Sequence, residues 1–204
     1  MPESVTDYFA LLAEPRRPWL DSDSLKQKFL ALSADAHPDR VHNANASEKE
    51  AAQQRYTALN TAYGCLREPK DRLRHLLELE MGEKPKDIQS IPSDLMDFFM
   101  EVSQICRQTD SFLAEKNASA SPLLQVQMFE RSQEWTEKLM ALQKALNSRR
   151  EQLESELKIL DAGWKVAERQ DAAVLQRLEV IYRLFSYYAR WDGQIQERIV
   201  QLAF

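Results

Sequence analysis

The chain has 204 residues, 44% of them apolar, and a net charge of −5 with both signs interspersed. That is enough apolar material for one or two packed domains, and the acidic balance argues against a dedicated nucleic-acid binder, which would carry a basic face. No stretch approaches the ~20 apolar residues of a bilayer span.

Four glycines in the whole chain leave no Gly-rich loop to cradle a phosphate. Few glycines together with many Leu, Ala, Glu, Gln, Lys and Arg predict an all-α protein. The start, "MPESVTDYFALL", lacks the basic and apolar blocks of a secretory signal, so the expected location is cytoplasmic. Cys65 and Cys106 form no CxxC and read as packing residues.

The first predicted helix is "TDYFALLAE", with Tyr8, Leu11 and Leu12 on one side and Ser4 or Thr6 as its cap; Pro15 and Pro18 then break the chain. The second, "LDSDSLKQKFLALSADA", opens on Asp21 as N-cap with Leu20 and Leu25 at hydrophobic-staple spacing. Leu25, Phe29, Leu32 and Ala36 form its stripe, and Pro38 ends it. A polar loop leads to a third helix, "SEKEAAQQRYTALNTAYGCLRE", for which Ser47 and Glu50 make a capping box and Ala52, Tyr56, Leu59, Tyr63 and Leu66 a stripe. The two stripes predict an antiparallel hairpin. A fourth helix starts at Pro69 and places Leu73, Leu76, Leu77 and Met81 on one side, with His75 on its surface.

"GEKPKDIQSIP", residues 82–92, is the predicted linker. Beyond it three long helical patterns run from about Ser93 to Lys116, from Pro122 to about Lys165 with Gly163 as its end or a kink, and from about Asp171 onward. Forty residues of helix extend about 60 Å. Short links between long amphipathic helices predict an elongated antiparallel three-helix bundle over 93–204. Its opposite charges at i,i+4, such as Glu134–Lys138 and Glu154–Lys158, read as a solvated face.

The unusual stretch is "SADAHPDRVHN", residues 33–43. His37 with Asp39 could be a general base and its orienting acid, but no nucleophile or oxyanion site accompanies them. His37, Asp39 and His42 could ligate a metal, but no fourth ligand is evident. The third reading is recognition: a turn at the hairpin tip displays three different side chains, one fixed in φ and one able to accept from an arginine.

Here the sequence resembles a known family. A short helix, a helix ending in His37-Pro38-Asp39, a loop, a long third helix and a short fourth match the J-domain over residues 4 to about 80. More narrowly it resembles HscB, the J-domain co-chaperone family of iron–sulfur cluster assembly. Asp7-Tyr8-Phe9, Leu20-Asp21, Asn60, Ala62-Tyr63, Leu66, Pro69 and Arg72 fit its pattern. The resemblance implies a J-domain over 1–81, the linker, and a client-binding helical bundle over 93–204. It implies that His37, Pro38 and Asp39, with Arg40, Lys28 and Lys26 as basic complement, dock on a DnaK-type chaperone and stimulate its ATPase. The chain itself would then be no enzyme and would need neither cofactor nor metal. It further implies delivery of the iron–sulfur scaffold protein through Phe99, Met100 and Glu101 on the first bundle helix and Leu184 and Phe185 on the last.

Two departures qualify this. Residues 1–80 hold 11 Lys and Arg against 13 Asp and Glu, and "LSADAHPD" puts Ala34, Asp35 and Ala36 where the family carries cations, so the basic patch is thin. In "MDFFMEVSQICRQTD", Ser103, Gln104 and Arg107 stand where apolar and acidic residues are expected. Phe98, Phe99 and Met100 would otherwise be bundle core, but three successive residues 100° apart cannot all point inward. The alternatives are a J-protein with another client, and a degenerate J-domain acting as a structural surface.

Overall fold

A computed structural model of the chain describes residues 5–41, 45–85, 91–118, 122–164 and 171–203. Every regular element among them is helical: α1 Tyr8–Leu11, α2 Ser22–Asp35, α3 Ala46–Arg67, α4 Pro69–Met81, α5 Met96–Ala118, α6 Pro122–Ala162 and α7 Ala172–Ala203, with single 3-10 turns at Pro38–Val41 and Ser93–Leu95. No helix among the described residues is long and apolar enough to cross a membrane.

Side-chain caps place the helix starts. Asp7, not Thr6, caps α1 and accepts from the backbone N–H of Phe9 and Ala10, so the helix begins later than predicted; Ser4 lies outside the described residues. The short α1 buries Phe9, and its C-cap Leu12, three residues on, is buried too. Asp21 accepts from Ser24 N–H at 2.8 Å and starts α2 as its sequence dictates, with Leu20 and Leu25 both buried. On α3 the capping box is Asn45 with Glu48, two residues before the predicted Ser47–Glu50. Asparagine caps as well as serine, and starting earlier gives the helix a further half turn.

Phe29 of α2 stacks on Tyr63 of α3 at 4.2 Å, which fixes the hairpin register. Its long arm continues through Leu59, Ala62 and Leu66 to α4. That last helix buries Leu73, Leu76 and Leu77 as predicted, but also Arg72 and His75, while Met81 is exposed. His75 is therefore no surface residue. Its ring stacks on Tyr8 and Phe9, and Nε2 accepts the N–H of Tyr8 at 3.1 Å. The stripe on α4 fits one partner, whereas α1 packs on a second side and covers the histidine.

Burial holds the His75 pKa below its ordinary value. The folded state refuses a proton that the unfolded chain accepts near pH 6.5, so stability is complete above that pH and falls as pH drops through the depressed value. Urea melts should show wild type losing stability more steeply than His75→Gln as pH falls below about 6.5, by up to about 1.4 kcal/mol per pH unit. Equal slopes would mean that His75 titrates freely.

Burial also pushes the Cys65 thiol up to about 11 and raises that of Cys106, so both are packing residues with little thiolate.

Packing groups the chain into two units: Met1–Lys86 with Glu154–Arg183, and Asp87–Leu153 with Leu184–Phe204. Along the chain the first change of unit comes between Lys86 and Asp87, and residues 86–90 of the predicted linker lie outside the described residues. The C-terminal part of α6 and the N-terminal part of α7 thus belong with the first unit. The reason is a polar clamp on the loop after α1. Arg17 pairs through two nitrogens with the buried Asp161 carboxylate, which also accepts Trp19 N–H at 3.3 Å. Trp164 Nε1 donates to Arg16 O at 2.7 Å. Arg177 and Glu156 join α6 to α7 there by two bonds of 2.6 and 2.7 Å.

The second unit is a three-helix bundle. Phe112 of α5 meets Trp135 of α6, and Arg131 reaches Glu115, so these helices are antiparallel. Gln143 of α6 contacts Asp192 and Gln196 of α7, while Glu156, later in α6, meets Arg177, earlier in α7, so these two helices are antiparallel as well. Phe98 lies on Trp191 while Arg198 bonds Asp110, so α5 and α7 run parallel. Ile181 in the first unit and Phe185, Tyr188, Trp191, Ile195 and Leu202 in this one keep α7's inward side apolar.

Candidate functional site

Pro38 stops α2, and the chain makes a 3-10 turn, closed by Arg40 N–H donating to His37 O at 3.0 Å. His37 is held from the side by α3: its ring sits edge-on to Tyr56 at 5.3 Å. Tyr56 was legible only as a stripe residue; its role as a mount for the histidine comes from the hairpin pairing. The N–H of Asp39 donates to His37 Nδ1 at 3.3 Å, which makes Nδ1 the acceptor and places the neutral ring's proton on Nε2. The Asp39 side chain is 90% exposed, with its carboxylate 3.5 Å from Nδ1. That is no orienting hydrogen bond for a general base, because the nitrogen's lone pair is already engaged. The turn is a fixed, solvent-facing shape that displays an N–H, a proline ring and a carboxylate.

The metal reading needs His42, which lies outside the described residues. Among the described residues no three His, Cys, Asp or Glu side chains form a metal-holding group.

The cations proposed to flank the tip are not brought together. Arg40 donates to Asp35 at 2.7 Å. Lys28 turns back to Glu14 at 2.8 Å and to Ala13 O at 3.3 Å. Lys26 is exposed two residues earlier, about 200° away around the helix. Helical phase scatters what the sequence lists close together.

In the second unit, Phe98 is buried against Trp191 with the Arg149 guanidinium 4.6 Å from its ring centroid. Phe99 is half-buried and tilted against the same tryptophan at 6.1 Å. Met100 is 52% exposed and Glu101 is exposed, so the three bulky neighbours do divide between core and surface. Leu184 and Phe185 are 8% and 2% exposed. They were read as client contacts, but they lie on the inward side of α7 and offer no surface to a partner.

A comparison with protein-family models finds no match. Among curated proteins, the chain is 36% identical over 94 residues to the co-chaperone protein HscB homolog of Bordetella pertussis, covering 46% of this chain and 53% of that protein. It is 34% identical over 95 residues to that of an Azoarcus species, covering 47% and 52%. The chain therefore spans about half the length of the curated relatives it matches. Among solved structures, the chaperone HscB of Vibrio cholerae aligns over 97% of this chain and 99% of its own, with a TM-score of 0.61 and 22% identity. The human co-chaperone protein HscB aligns over 98% and 83%, with a TM-score of 0.58 and 19% identity. These two carry the same all-α fold along nearly the whole chain, and the sequence similarity over about half of it points to the same HscB family.

Proposed function

We propose that the chain is a J-domain co-chaperone that docks on a DnaK-type ATPase, stimulates its hydrolysis, and brings it a client, the iron–sulfur cluster scaffold protein. One observation carries this: the His37-Pro38-Asp39 turn is exposed, rigidly mounted on Tyr56 and closed by its own backbone bonds. Such a turn can key into a partner but has no means of chemistry, so the catalysis is the partner's. The names of the curated relatives, co-chaperone protein HscB homologs, support the same reading. The client surface is Met100, Glu101 and the open edge of Phe99, all adjacent on α5.

The test is the steady-state ATPase rate of purified DnaK-type chaperones with and without the chain. Stimulation is expected, and none by any of them would defeat the proposal. For the client, pull-down with an iron–sulfur scaffold should lose about tenfold in affinity in Met100→Asp, which sets a charge in an apolar contact at a cost of about 1.4 kcal/mol. Phe99→Ala should weaken capture by less, since part of its ring stays with Trp191. If both variants bind as wild type does, the scaffold sits elsewhere.

A further inference from the structure

The first unit holds a cavity of about 800 Å³, within the range of small-molecule sites. Tyr8 at the start of α1, Cys65 near the end of α3, and Arg74, His75 and Glu78 of α4 line it, with Lys84 beyond that helix. Gly82 ends α4 at φ 75°, in the left-handed region, and so lets the chain leave the helix axis before Lys84. The turn at His37 is elsewhere: Cys65 lies nine residues beyond Tyr56 on α3, about 13 Å along the axis.

The charged groups of this cavity do not neutralise one another. Arg74 and Glu78 stand one helical turn apart, yet no ion pair joins them. Arg74 has only a loose contact of 3.8 Å with Asp71, and Glu78 and Lys84 have no ion pair among the described residues. The N–H of Tyr8 donates to His75 Nε2 at 3.1 Å, so the neutral ring carries its proton on Nδ1. That ring is 5% exposed, burial favours its neutral form, and its Nδ1–H has no partner among the described residues. Cys65 keeps its proton and donates to Asp71 O at 3.4 Å, so it brings no charge. The lining thus offers three donors, two of them cationic, and one carboxylate.

A simple anion would be repelled by Glu78, and a simple cation by Arg74 and Lys84. A molecule with one charge of each sign satisfies both sets. The Cβ atoms of helical i,i+4 neighbours such as Arg74 and Glu78 are about 5–6 Å apart, which suits charges separated by more than one amino acid. We propose that this cavity binds a short zwitterionic peptide, its carboxylate held by Arg74, Lys84 and the Nδ1–H of His75 and its ammonium by Glu78. The site is independent of the co-chaperone reading. A peptide bound there joins the entry of α1 to α4 and stabilises the native state alone.

The test is calorimetric and NMR titration of the full chain with triglycine. Binding should occur at one site, with shifts centred on residues 5–8, 74–84 and the His75 Nδ1–H proton. N-acetyltriglycine lacks the ammonium and triglycine amide lacks the carboxylate, and each should bind at least about tenfold more weakly. Arg74→Gln should bring triglycine down to the affinity of its amide, and Glu78→Gln to that of its acetylated form, both with unchanged far-UV CD. The inference is overturned if triglycine shows no binding at about 10 mM, if the capped peptides bind as well as triglycine, or if the shifts fall on other helices. Inorganic phosphate binding there more tightly than triglycine would overturn it too, since the cavity would then be a plain anion site.

Discussion

His37→Gln is expected to bring the chaperone's stimulated ATPase down to its basal rate, with far-UV CD and thermal midpoint unchanged. Glutamine keeps a similar reach and can still accept from Asp39 N–H, but it loses the rigid ring that stands edge-on to Tyr56 and the fixed Nε2 donor. A central contact of this kind is worth at least about 2 kcal/mol, or roughly 30-fold in potency. The fold should not notice, because the ring is partly solvent-exposed and the turn is closed by Arg40 N–H on His37 O, a backbone bond. If helicity falls in parallel with stimulation, the histidine is a structural residue. A variant that stimulates as well as wild type would remove the turn from the docking surface altogether.

The second large effect concerns stability. Arg72→Ala is expected to cost the first unit about 3–5 kcal/mol in urea unfolding. The guanidinium is buried and donates from Nε to Pro18 O at 3.0 Å and from Nη1 to Leu66 O at 2.7 Å. It therefore joins the loop before α2, the end of α3 and the start of α4. Burial lowers its pKa to about 10, opposed by Glu154 and Asp161, so it remains charged at neutral pH. Removing it leaves two buried carbonyls without their donor. Arg72→Lys should recover only part of the loss, since one ammonium cannot reproduce a fork aimed at two separate carbonyls. A change below about 0.5 kcal/mol for Arg72→Ala would show that water replaces the guanidinium at no cost.

Much of this was local and therefore readable. Asp21 caps α2, Pro38 stops it and Pro69 opens α4 because each acts through its own backbone. Leu73, Leu76 and Leu77 are buried as their helical spacing predicts, and Met81 at the end of the same stripe is exposed. Where two local signals competed, the outcome depended on neighbours. Asn45–Glu48 and Ser47–Glu50 are both plausible boxes, and the earlier one was taken. His75 looked exposed because a stripe describes one packing partner, while α4 has more than one.

Helical periodicity and the His-Pro-Asp turn thus determined the all-α class, the hairpin and its tight tip, since these follow from dihedral preferences and from spacing along the chain. Tertiary structure alone decided which like-looking residues share a face. It drew Lys28 back to Glu14, turned Leu184 and Phe185 inward, left Met100 outside, and set Asp161 on Arg17, 144 residues away in the chain. Contacts across such separations depend on how whole helices are rotated against one another, which no local pattern encodes.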